Sequence, residues 1–158
     1  LGSLDSSFKM MPPLRTAADG AALRTALQDG VIDIVATDHA PHTPEEKSGP
    51  FDETPNGVIG VEWAAAVVNT VAPLDMEAFF DRMSIAPARI GEISGQGLRL
   101  EPGSPANLVV FDPDADILPT TTRSRSRNAP YLGRPWRGMV RHTIYAGRLS
   151  YSAEGWTQ

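Results

Sequence analysis

The chain has 158 residues, a formal charge of −5, 41% apolar and 21% charged side chains, and no cysteine. That length allows one domain with a core or pieces of two smaller ones, and the composition is that of an ordinary globular protein. The acidic balance gives no reason to expect nucleic acid or an anionic membrane as a partner, the absence of cysteine excludes disulfides and thiolate metal sites, and no apolar run reaches the roughly 20 residues of a membrane span.

Residue 1 is Leu rather than Met, which leads to the expectation of a piece of a longer protein, and a cytoplasmic location is the default. Residues 1–15 show no period and run into Pro12-Pro13, so they read as an extended loop. Residues 16–29 read as a helix, with Thr16 and Asp19 as a capping-box start, an apolar stripe of Ala22, Leu23, Ala26 and Leu27, and Gly30 as the stop. Residues 31–37, VIDIVAT, form a short β-branched run of the kind found in parallel strands buried on both faces, followed by the polar segment Asp38-His39-Ala40-Pro41-His42. Residues 43–57 are loop, and residues 60–71 have the length and apolarity of a buried helix. Asp75 caps a further helix with a core face of Met76, Phe79, Phe80 and Met83, and residues 84–93 continue as a short helix with Pro87 in its first turn.

The character changes near residue 94. Gly95, Gly97, Pro102, Gly103 and Pro105 punctuate the chain, residues 106–111 (ANLVVF) read as a strand, and residues 139–146 and 147–151 read as a pair of strands. The expected fold is therefore α/β: residues 1–93 as the C-terminal part of a TIM-type (β/α)8 barrel, and residues 94–158 as a small β-sandwich segment. A full barrel takes about 250 residues, so this chain holds only the end of one.

The chemistry concentrates at residues 37–43, TDHAPHT, placed by this reading at the C-terminal end of a barrel strand, where such barrels carry their catalytic groups. A carboxylate at Asp38 suits a divalent metal or a proton shuttle; its bland alternative is a cap on the next turn. His42 is either a hydrogen-bond donor to a substrate carbonyl or surface decoration, and Gly57 either a close backbone approach or a plain turn. Arg15 either faces a substrate carboxylate or pairs at the helix start. His39 is read as orienting the loop, His142 as part of a strand, Lys47 with Glu45 and Glu46 as capping and solubilising a loop, and Trp63, Trp136 and Trp156 as core or interface groups. Arg123, Arg125 and Arg127 are too few and too diluted by acid to argue for nucleic acid.

FKMMPPLR, DGVIDIVATDHAPHTPEEK, PNGVIGVE, GSPANLVVFDP, SRSRNAPY and GMVRHTIYAGR, in this order, resemble bacterial dihydroorotases of the longer type. TDHAPHTPEEK is the specific part; GSPANLVVFDP is shared by many amidohydrolases. The resemblance implies a zinc-dependent, reversible hydrolysis of dihydroorotate to N-carbamoyl-aspartate in pyrimidine synthesis. It implies Asp38 as a metal ligand and catalytic carboxylate, taking a proton from the attacking water and returning it to the ring nitrogen. His42, Ala40, Asn56 and Gly57 fall at substrate-binding positions, the last three largely through backbone. So does Met11, although the family usually has Asn there and methionine cannot supply the amide. Asn56 stands where an aromatic is common. The family's binuclear zinc site draws on a His-x-His pair, a carboxylated lysine and two further histidines that lie upstream and are not in this chain. The isolated chain is therefore expected to be inactive, with the N-terminal part of the same protein as its partner and a second copy or aspartate carbamoyltransferase as further candidates. Two rivals are weighed: an allantoinase or hydantoinase, and a non-catalytic dihydroorotase-like scaffold for aspartate carbamoyltransferase.

Overall fold

The computed structural model describes residues 4–72 and 74–155; Trp156, one of the three tryptophans assigned to core or interface, lies outside them. In chain order the elements are α1 (Ala17–Gln28), α2 (Ala64–Val71), α3 (Met76–Phe80), α4 (Ala86–Ile90), β1 (Leu108–Ile117), β2 (Trp136–Tyr145) and β3 (Arg148–Ser152). Residues 4–15 are irregular as expected, apart from one 3-10 turn, Ser6–Phe8, whose N-cap Asp5 accepts from Ser7 N at 2.8 Å.

Helix α1 starts as read. The Thr16 hydroxyl accepts from Asp19 N (3.2 Å) and the Asp19 carboxylate accepts from Thr16 N (3.0 Å), so two orphan donors of the first turn are satisfied. Hydrogen bonds from the Thr16 hydroxyl and backbone hold the Asp19 carboxyl below its usual range. The predicted stripe is only half used: Leu27 is buried, while Leu23 is 58% exposed and Ala22 is also exposed. Arg15 lies 3.9 Å from Asp19 at the helix start, which is the bland alternative of the sequence reading.

The run VIDIVAT departs from expectation. It is extended, but among the described residues it has no strand partner, and Val31 is 76% exposed. A strand exists only through the ladder to a neighbour, and here Val35 N donates to Arg82 O (3.1 Å) rather than to another strand. One isolated parallel bridge, His39 to Val58, closes its end. Ile32 and Val35 still pack on the core formed by Leu27, Val68, Ala72 and Phe79.

Helix α2 begins at Ala64, after a turn over residues 61–63, rather than at 60. Asp75 caps α3 by accepting from Ala78 N at 2.8 Å. Residues 81–85 then widen into a π turn, in which Ala86 N reaches back to Asp81 O. Pro87 supplies the reason: in a regular helix its ring would press on the carbonyl four residues earlier, and a wider turn relieves that clash.

The sheet is three-stranded and antiparallel in the order β1-β2-β3. Strand β1 is longer than the predicted 106–111, because the Asp112 carboxylate accepts from Asp114 N and Ala115 N and carries the strand through an irregularity to Ile117. Arg141 on β2 closes on the same carboxylate (2.7 Å); the arginine bond first, then the backbone bonds, hold it below its usual range. Sheet and helices share one core. Phe111 stacks on Phe79 with centroids 5.0 Å apart, Asn69 donates to Pro113 O (2.9 Å) and Arg137 O (2.8 Å), and Arg137 N donates to the Thr70 hydroxyl (2.7 Å). Strand β2 could not lie so close to Phe111 without Gly138: at φ 115°, an added Cβ there would stand 2.6 Å from the Phe111 ring. His142 sits half-buried on β2, in keeping with a structural role.

Candidate active site

Asp38 stands at the end of the extended 31–37 run with φ 42°, a left-handed conformation unusual for a residue with a side chain. It is exposed, and its carboxylate has no hydrogen-bond or ion-pair partner among the described residues. An exposed carboxylate on a left-handed residue and without a protein partner is the reverse of a turn cap, whose oxygen would be engaged by nearby N–H groups.

The residues after it are tightly tied. His39 Nδ1 accepts from Gly60 N (3.1 Å) and Val61 N (3.3 Å), so His39 orients the loop and that nitrogen is already spent. Ala40 N donates to Val58 O at 2.9 Å. His42 Nε2 donates to Asn56 O (3.0 Å), and its Nδ1 lies 3.4 Å from Glu46. Glu46 and Thr43 cap one another, with Thr43 N donating to the carboxylate at 2.8 Å; that bond, more than the contact with His42, holds the Glu46 carboxyl below its usual range.

Gly57 faces this loop. At φ 130°, a Cβ added to it would lie 2.8 Å from Ala40 Cβ and 2.9 Å from His42 Nε2. Its N–H donates to Lys9 O (2.9 Å), and its carbonyl accepts from Lys47 Nζ (3.1 Å), which also reaches Pro55 O (2.9 Å). Lys47 is thus an internal strut of the loop rather than a solubilising charge. Burial, then the neighbouring Lys9 charge, push its ammonium below the usual lysine range.

Of the sequence-predicted positions, Ala40, His42, Asn56 and Gly57 are brought together in direct contact, with Asp38 two residues from Ala40. Met11 is 63% exposed, and its thioether offers no donor of the kind an asparagine would.

Sequence reading missed Asn128. It is only 4% exposed; its Oδ1 accepts from His42 N (3.3 Å), its Nδ2 donates to Ala40 O (2.9 Å) and Gly57 O (3.1 Å), and its carbonyl accepts from Ile59 N (3.0 Å). The signal was present as period two: in Arg123-Ser124-Arg125-Ser126-Arg127-Asn128 every arginine is exposed and every intervening residue is half-buried or buried. Glu62 was missed as well. Its carboxylate accepts from the Thr122 hydroxyl, Arg123 N (2.9 Å) and Ser124 N (3.2 Å), and pins that segment. Burial alone would raise the Glu62 carboxyl, but these bonds together hold it below its usual range.

The described residues contain no group of three or more His, Asp or Glu side chains able to hold a metal ion. Asp38 has the right donor chemistry and is free to use it. His39 Nδ1 and both ring nitrogens of His42 are engaged with the protein, so the described residues offer Asp38 as a metal ligand but not a complete centre.

Comparison with known proteins gives a consistent picture. A model of the amidohydrolase family matches residues 3–151. The chain is 44% identical over 154 residues to a dihydroorotase of Streptomyces coelicolor, covering 94% of this chain and 36% of the relative. It is 43% identical to a dihydroorotase of Desulforapulum autotrophicum, covering 98% of this chain and 37% of the relative. The chain therefore spans little more than a third of the length of these curated relatives. Among solved structures, an L-hydantoinase (dihydropyrimidinase) from Arthrobacter aurescens superposes with a TM-score of 0.84 at 27% identity, over 95% of this chain and 35% of that one. A D-hydantoinase (dihydropyrimidinase) from Thermus sp. gives 0.82 at 26% identity, over 96% and 35%.

Proposed function

The chain belongs to the amidohydrolase family, and on that premise we propose that it carries one side of the active site of a dihydroorotase, which hydrolyses the cyclic amide of dihydroorotate to N-carbamoyl-aspartate and reverses the reaction. The observation that carries this reading is Asp38: a left-handed, exposed carboxylate without a protein partner, beside a rigid rim made by Ala40, His42, Asn56 and Gly57.

In this reading residues 1–93 complete the end of a barrel and residues 94–158 part of a small β-sandwich, and the complete protein works in pyrimidine synthesis in the cytoplasm. The partner that matters first is the rest of the same protein, which supplies the remaining ligands of a zinc pair. When bound, zinc supplies Lewis-acid polarisation of the amide carbonyl and acidifies water. The task of Asp38 is to hold one metal and to move a proton at its free carboxylate oxygen. It accepts that proton as water adds to the carbonyl carbon, and gives it to the ring nitrogen as the C–N bond breaks.

The backbone of Ala40, Asn56 and Gly57 borders the substrate, and the missing side chain of Gly57 lets Ala40 and His42 close against it. His42 Nε2–H is the donor offered to a substrate oxygen, so substrate competes with the Asn56 carbonyl for it. Met11, at the position where the family usually has Asn, has no amide to offer, so another group makes that contact. With both metal and substrate machinery divided between this chain and the rest of the protein, residues 1–158 alone have no turnover.

A hydantoinase is the second reading, favoured by the two solved structures above. Higher identity to dihydroorotases, 44% against 27%, puts dihydroorotate first. The experiment is ring opening of dihydroorotate and of hydantoin by the full-length protein and its Asp38→Asn variant, with metal content measured. We expect dihydroorotate to be opened in preference, and the variant to lose at least ~100-fold in turnover, the lower range for a lost general acid–base. Unchanged turnover in Asp38→Asn would sink the catalytic assignment; preference for hydantoin would transfer it to the second reading.

A further inference from the structure

We propose that Asn128 is a positioning residue for the substrate-facing loops, acting through Ala40, His42 and Gly57 rather than on substrate. The kinetic half of this proposal rests on the functional reading above; the structural half does not.

A side-chain amide has one acceptor oxygen and a nitrogen with two hydrogens. Asn128 meets the complement of that inventory: one donor, His42 N, and two acceptors, the carbonyls of Ala40 and Gly57. The Ala40 peptide groups are thereby held on both sides, since Ala40 N donates to Val58 O. Gly57 is held between Lys9 on its N–H and Lys47 and Asn128 on its carbonyl. A single buried side chain therefore ties the 40–42 turn to residue 57, beside the His42–Asn56 and Ala40–Val58 bonds.

For Asn128 to position those loops, its own segment must be anchored elsewhere, and it is. Glu62 takes the backbone of Arg123 and Ser124 and the hydroxyl of Thr122. Downstream, Ala129 is buried with Ile59 and Trp63, and Tyr131 packs against the same cluster. The clasp thus belongs to a connection between β1 and β2 fixed at both of its ends, and the more C-terminal part of the chain reaches back to organise the loop that follows Asp38.

Chemistry separates this role from simple packing. Aspartate has the shape of asparagine but would set a carboxylate oxygen against two carbonyl oxygens; leucine keeps the bulk and makes no hydrogen bond. If Asn128 only filled space, Asp and Leu would serve; if it positions by hydrogen bonding, neither does. Substrate binding should suffer more than the proton transfer, because Asp38 is not among the groups it holds.

The test uses the full-length protein carrying Asn128→Asp, Asn128→Leu and Asn128→Ser, the last a small change that serves if the other two fail to fold. Losing its own acceptor should speed exchange of the His42 amide by at least ~10-fold, and loss of the carbonyl bonds should loosen the loops and speed the Ala40 and Gly57 amides as well, with interior amides of α1 unchanged. KM for dihydroorotate should rise by ~10-fold or more, with kcat changed less than ~3-fold, metal content retained, and Asp no better than Leu. Unaltered exchange at those three amides overturns the clasp. A variant with altered exchange but wild-type KM, or an Asp variant that behaves as wild type, overturns the positioning role. A wild-type protein that does not open dihydroorotate would refute the functional reading instead, and the exchange measurement would then decide the clasp alone.

Discussion

Replacing Gly57 with alanine should destabilise the fold and weaken substrate binding together. Residue 57 has φ 130°, and the added methyl would lie 2.8 Å from Ala40 Cβ and 2.9 Å from His42 Nε2. Holding an L-residue in that conformation costs on the order of 1–3 kcal/mol. Forcing a methyl into occupied space adds about 1–3 kcal/mol. The combined loss of roughly 2–6 kcal/mol is a large share of the 5–15 kcal/mol that keeps a typical domain folded. The loop can yield only by moving Ala40 or the His42 ring, both of which border the proposed substrate site, so KM should rise as well. The assay is denaturant unfolding followed by steady-state kinetics on the full-length protein. Gly49→Ala is the control, since a methyl there would meet only Thr54 Cγ2 at an ordinary 3.6 Å. A Gly57→Ala protein within about 0.5 kcal/mol of the parent, the range of a neutral surface change, would refute the reasoning.

Gly138→Ala faces a tighter clash, 2.6 Å from the Phe111 ring at φ 115°, and should cost a similar 2–6 kcal/mol by unfolding, again on the order of strain plus overpacking, while leaving KM of the surviving folded protein unchanged. Glu62→Gln should lose roughly 1 kcal/mol at neutral pH, a net hydrogen-bond value kept low because the carboxylate is largely exposed. Because the folded protein holds this carboxyl below its ordinary value, its stabilisation is present above about pH 4.3 and fades as pH falls through the folded value. The difference between parent and variant, followed by thermal melts against pH, should therefore shrink in acid; a difference that grows there would be the wrong sign.

Local signals explain what could be read from the chain. The Thr16–Asp19 pair and Asp75 announce α1 and α3 because a cap is made by residues three apart, and nothing distant can remove it. VIDIVAT failed as a strand for the opposite reason: its composition is right, but a strand is completed by a neighbour, and no segment among the described residues takes that place. Residues Asp38, Ala40, His42 and Gly57 were singled out because they sit in one distinctive motif and one glycine-bearing loop, and the contact of the last three is what the fold adds. Asn128 was not, since its partners lie up to 88 residues away and its three neighbouring arginines drew the reading toward charge. Lys47 was misread because a lysine beside two glutamates resembles solvated surface, whereas its ammonium turns inward onto the carbonyls of Pro55 and Gly57.

The long reach of the Asn128 clasp has a consequence for how the protein is made. Ala40 leaves the ribosome's catalytic centre 88 residues before Asn128 does, and at about 5–20 residues per second that is an interval of roughly 4–18 s. During it the carbonyls of Ala40 and Gly57 have no asparagine to meet, and Ile59 has neither Ala129 above it nor the Asn128 carbonyl for its N–H. Helix α1 is complete long before, capped by its own residues. The loop that follows Asp38 is therefore among the last parts to acquire its native arrangement on the growing chain, and a nascent protein stalled before residue 128 would carry Asp38 without the frame around it.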